Sequence, residues 1–154
     1  MNASEKATSL SFVSKITAII NLFQSKFKDA IPDLTPWLDD PVTRSTLDPN
    51  SIDLGFHFPS NADPRHTLLL QIRLQPISSK SAALSVMWPS RVVELEISSH
   101  GHSGCLWEFS TLYDWHLAIQ TKLSAEYQAQ VKSFCQDVLE VFNSTEYSHH
   151  HQNN

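Results

Sequence analysis

The sequence predicts an α+β fold: a five-stranded antiparallel meander sheet with N- and C-terminal helices packed on one face, forming a two-layer sandwich. Three observations lead there. Apolar residues recur at helical spacing near both ends of the chain, they alternate with a period of two through its middle, and the alternating runs are joined by short connections. A chain of 154 residues with 41% hydrophobic and 18% charged residues suits one globular domain with its own core.

Residues 1–8 are small and polar and are expected to form a flexible N-terminus, ahead of a single α+β domain over 9–143. From Ser9 to about Ala30, Phe12, Ile16, Ile19, Ile20, Phe23 and Phe27 make one helical stripe, with Lys15, Gln24, Lys26 and Lys28 on the other side. Pro32 and Pro36 stop that helix. Residues 31–50 read as an ordered connection in which Asp40 and Pro41 suit the cap and first position of a helical turn. Strands follow over 51–59 (Ile52, Leu54, Phe56 and Phe58 inward), 67–75 (Leu68, Leu70, Ile72, Leu74), 82–88 (Leu84, Val86, Trp88), 91–98 (Val93, Leu95, Ile97) and 105–113 (Trp107, Phe109). Ser124 caps a last helix whose stripe is Tyr127, Val131, Phe134, Cys135, Val138, Leu139 and Phe142. Residues 144–154 are expected to be a disordered tail holding His149, His150 and His151.

Register adds detail that composition lacks. Keeping Leu95 and Ile97 on the face of Trp107 and Phe109 requires an odd loop of three or five residues. Ile97 would then face Trp107, and Glu96 would face Glu108 on the outer side. Directly opposed like charges destabilise a sheet. The first two strands would place Asp53 opposite Arg73, an opposite-charge pair.

Net charge is −5, and the eleven Lys and Arg are scattered, which argues against nucleic acid as a partner. No run approaches the roughly 20 apolar residues of a membrane span, and no signal peptide is evident, so a cytoplasmic protein without membrane attachment is expected. Three glycines cannot build a phosphate loop. No cofactor is expected.

Several clusters hold chemistry-bearing side chains. His100 and His102 lie close to Cys105 in "HGHSGC", the alternative metal site, yet a closed tetrahedral site needs about four ligands. Cys105 alternates with Trp107 and should point to the core. Glu94, Glu96 and Glu108 could form a carboxylate pair for acid/base work, but a flat outer face gives no water-excluding cleft. Ser110, Asp114 and His116 have the residue types of a hydrolase triad and lack the glycine-flanked elbow. No complete catalytic set remains, so a non-enzymatic role is expected.

Trp37, Trp88 and Trp115 lie at turns or segment ends, where large amphipathic rings lid a core or anchor a partner. The strands of Phe56 and of Trp107 would be the sheet's edges, and open edges invite strand addition or a homodimer. The expected partner is therefore another protein or a peptide segment of it, met through Trp37, Trp88, Trp115, Phe56, Glu94, Glu96 and Glu108. At "DPNSIDLGFHFP" and "LLLQIRL" the chain resembles small soluble proteins of photosynthetic bacteria, among them assembly factors for multiprotein complexes. The resemblance implies binding of another protein, as an assembly factor or chaperone, and carries over no site residue.

Overall fold

The computed structural model describes residues 1–59, 67–76, 90–112, 114–119 and 122–143. Helices α1 (Ala3–Lys6) and α2 (Leu10–Lys26) precede β1 (Ile31–Asp33), α3 (Pro41–Thr46), β2 (Ser51–His57), β3 (Thr67–Pro76), β4 (Ser90–Gly101), β5 (Gly104–Ser110) and β6 (His116–Ile119), and α4 (Ala125–Asn143) closes the order. The strands form one antiparallel sheet in chain order, so the fold is α+β with an open antiparallel sheet, a meander of six strands among the described residues.

Local chemistry sets the helix starts. The Ser9 hydroxyl accepts from the Phe12 amide, the Asp40 carboxylate from Val42 and Thr43, and the Ser124 hydroxyl from Tyr127. Pro41 takes the first position of α3, where a missing N–H costs nothing.

Three expectations about the sheet are corrected. The strand expected over 82–88 lies outside the described residues, and β4 pairs directly with β3, so no strand stands between them. β1 and β6 were not foreseen: each is short, and Pro32 inside β1 withholds a ladder donor, which only an edge position tolerates. Among the described residues they are the sheet's edges, which moves β2 and β5 to the interior.

Both expected registers slip by two residues. Asp53 faces Gln71 rather than Arg73, while Ile97 faces Phe109 and Glu96 faces Ser110. A two-residue slip leaves every side chain on its own face, because the pleat repeats every second residue. The turn is also tighter than expected: Gly101 pairs with Gly104 around His102 and Ser103 alone. A bulge beside Ser99 and His100 then restores the parity that an odd loop would have supplied. Gly104 has φ +110°, a conformation suited to glycine at this corner.

The inner face carries Ile52, Leu54, Phe56, Leu68, Leu70, Ile72, Leu95, Ile97, Trp107 and Phe109, all buried. Against it lie Ile16, Ile19 and Phe23 of α2 and Val131, Phe134, Cys135 and Val138 of α4. Phe23 stacks on Phe56 at 3.8 Å between ring centres and meets Phe134 edge-on at 5.1 Å, so one ring joins α2, α4 and the sheet.

Lys15 departs from the expected polar side of α2: it is 8% exposed, and its ammonium donates to the carbonyls of Val141 (2.7 Å) and Phe142 (3.4 Å). Carbonyls in a helix's last turn lack partners within the helix and attract a cation. Burial lowers the Lys15 pKa. Lys15→Met keeps the apolar stem and removes the donor; the expected loss is about 1.5 to 3 kcal/mol, read as a lower urea midpoint at unchanged slope.

Residues 1–8, expected to be loose, are fastened to the sheet. The Met1 ammonium donates to Asp48 O, Ser51 Oγ and Asp53 Oδ2, and the Asp53 amide donates to Met1 O. Ala3 is fully buried.

Candidate functional site

The outer face holds most of the charged candidates, and its carboxylates have separate fates. Glu94 is buried, 2.5 Å from the Arg73 guanidinium, and its other oxygen accepts from the Ser110 hydroxyl at 3.2 Å. Arg73 also reaches Asp48 at 3.3 Å. Glu94 is thus bound into the sheet, and the Ser110 hydroxyl is one of the groups that hold it there.

Glu96 is half-buried, and Glu108 is exposed one rung away. Burial, then the charges of Glu108 and Glu94, raise the Glu96 pKa, with Arg73 opposing. A glutamate whose pKa is raised on folding binds more protons folded than unfolded, so its contribution to stability falls as pH rises from the ordinary value of 4.5 through the raised one. Glu96→Gln is therefore expected to raise Tm near neutral pH and to lose that advantage below about pH 4.5, in melts across a pH series.

The hairpin tip does not gather a ligand set. His100 and His102 are exposed, and His100 Nε2 lies 3.0 Å from Ser98 Oγ. Cys105 is half-buried instead of sitting in the core, because the bulge interrupts strand alternation there, and its thiol points to the Trp107 carbonyl at 3.4 Å. Burial and then the Glu108 charge raise its pKa, which disfavours a thiolate ligand. Among the described residues no group of three metal-ligating side chains comes together.

Two of the aromatic candidates are held by contacts within the fold. Phe56 is fully buried beneath Phe23, so it belongs to the core and not to a partner surface. Trp37 is half-buried; its indole N–H donates to Asp53 Oδ2 at 2.6 Å, and its amide donates to Asn2 Oδ1. Trp88 lies outside the described residues, as does the histidine tail.

Trp115 is different. It and Asp114 have φ of +59° and +52°, values rare for residues with side chains and most costly for bulky ones. That backbone holds the half-buried indole edge-on to Phe109, with ring centres 5.9 Å apart, and Lys132 Nζ lies 6.0 Å from its ring centre. Behind the indole is a cavity of about 180 Å³ lined by Phe109, Trp115, Leu117, Leu123, Val131 and Lys132. It opens between β5, β6 and α4, at the end of the sheet where β6 pairs only with β5 among the described residues. Leu112, 51% exposed, stands nearby in the chain.

A family model described as a domain of unknown function matches residues 4–144. The chain belongs to that family. No curated protein and no solved structure matches it. The family's span runs from α1 through α4 and takes in Trp115, β6 and the cavity. No described helix is long and apolar enough to cross a membrane. Sequence reasoning singled out Trp115 in this domain of unknown function but missed β6, Leu117 and Lys132. The alternation of Leu117 and Ile119 about Ala118 was the available signal, and four residues are too few for it to stand out.

Proposed function

We propose that this domain of unknown function is a non-enzymatic, cytoplasmic protein-binding module, acting as an assembly factor or chaperone, and that it receives an extended segment of its partner beside β6. The observation that carries the reading is one juxtaposition: an edge strand with no second neighbour among the described residues lies beside an apolar cavity rimmed by Trp115. Strand addition draws affinity from main-chain hydrogen bonds and specificity from pockets that take alternate side chains. A cavity of about 180 Å³ holds a side chain better than a small-molecule ligand, whose pockets run to roughly 300–1,000 Å³. The core position of Phe56 removes it from the partner surface, and the ion pair of Glu94 makes that residue a support for its neighbours.

Hydrogen exchange with and without a partner fraction from native extract tests the reading. Slowed exchange at β6, reduced at least tenfold in effect by Trp115→Ala, is expected. Protection confined to other strands would overturn it.

A further inference from the structure

The charges around β6 specify what the added segment must carry. On the outer face Ala118 of β6 lies opposite Glu108 of β5. Adjacent strands are spaced about 4.8 Å apart, so a strand laid beyond β6 would run roughly 10 Å from Glu108, with only the methyl group of Ala118 between. A long side chain can cross that gap. Glu108 is exposed, and no described residue forms an ion pair with it, whereas Glu94 has Arg73. Glu96 adds a second acidic group on the next rung.

The inner side has the opposite sign. Lys132 lines the cavity and sits against the Trp115 ring, so a basic side chain directed inward would meet a like charge, and the apolar walls of Phe109 and Leu117 call for an apolar one. Successive residues of an extended segment point to opposite faces. The required pattern follows from that alternation.

Resting on the reading of β6 as the docking edge, we propose that the partner segment presents apolar, basic and apolar residues in succession. The basic side chain reaches over Ala118 to Glu108, and a flanking apolar side chain enters the cavity beside Leu117. A second copy of this chain fits less well. Its own β6 reads His-Leu-Ala-Ile, with no Lys or Arg to answer Glu108.

The test uses the full chain and two labelled nine-residue peptides, one alternating valine with arginine and the other valine with glutamate, titrated by fluorescence anisotropy at physiological salt. The arginine peptide is expected to bind at least tenfold more tightly and to slow exchange at β6. Glu108→Lys, at an exposed position that the core does not use, is expected to reverse the order. Equal binding of the two peptides, or an unchanged preference in Glu108→Lys, overturns the proposed pattern. If β6 is still protected in that case, the docking edge stands and only its chemistry falls. Failure of both peptides and of the native partner fraction to protect β6 removes the docking edge itself. A concentration-dependent dimer that protects β6 without peptide assigns the edge to a second copy and overturns the basic partner.

Discussion

Phe23→Ala is expected to cost about 3 to 5 kcal/mol, the range for removing a fully buried aromatic ring whose surroundings relax only in part. The ring is 0% exposed and touches three parts of the core: Phe27 at 4.6 Å between centres, Phe56 of β2 at 3.8 Å and Phe134 of α4 at 5.1 Å. Deleting it opens a void where helix, sheet and helix converge, and none of the remaining rings can fill that void without leaving its own partners. For a domain of this size each kcal/mol moves Tm by roughly 2 to 4 °C, so calorimetry should show a fall of roughly 6 to 20 °C. Phe23→Leu keeps most of the volume and should lose much less. Equal losses from the two variants would mean that the ring's own contacts, and not the volume it fills, carry its contribution.

Asp53→Ala is the second large effect, and its cause is polar. The carboxylate is 1% exposed, and Oδ2 accepts from the Met1 ammonium at 2.5 Å and from the Trp37 indole at 2.6 Å. Its removal takes the acceptor from the Trp37 indole and the counter-charge from the Met1 ammonium, which is 34% exposed and keeps Asp48 O and Ser51 Oγ, so the expected loss is about 1.5 to 3 kcal/mol. Here the orphaned donors belong to two segments, residues 1–2 and 34–40, that otherwise lie over one edge of the sheet. Besides a lower Tm, the variant should show faster exchange at α1 and greater quenching of Trp37 fluorescence by iodide. A destabilised variant with Trp37 still shielded would show that the carboxylate does not hold the Trp37 segment in place.

Much of the fold was legible because its signals are local. The stripes of α2 and α4, the caps Asp40 and Ser124, and the alternation of the inner face are each written within a few residues. Lys15 was misread because a lysine on a helix flank is usually solvated, and the carbonyls that claim it belong to a helix more than a hundred residues later. Registers were read to the correct face and no further, since parity restricts pairing to even slips and the turn chooses among them. The site was less legible than the fold. Trp115 was visible as an aromatic at a segment end, but its left-handed backbone, the cavity behind it and the cation above it depend on where α4 comes to rest. Phe56 looked like an edge residue only until β1 supplied a further strand.

The strand order also bears on how the chain is made. Each strand of the meander pairs with the one synthesised next to it, so the sheet can grow as the polypeptide emerges, by contacts that are close in sequence. The helix layer has no such schedule. Phe23 leaves the ribosome early, and its partner Phe134 follows only after all six strands; at roughly 5 to 20 residues per second that is an interval of several seconds or more. Through that interval α2 has an apolar stripe and half of its eventual cover. A nascent chain stopped short of α4 should therefore be the species that holds to a chaperone, and release should coincide with the arrival of Val131 to Phe142.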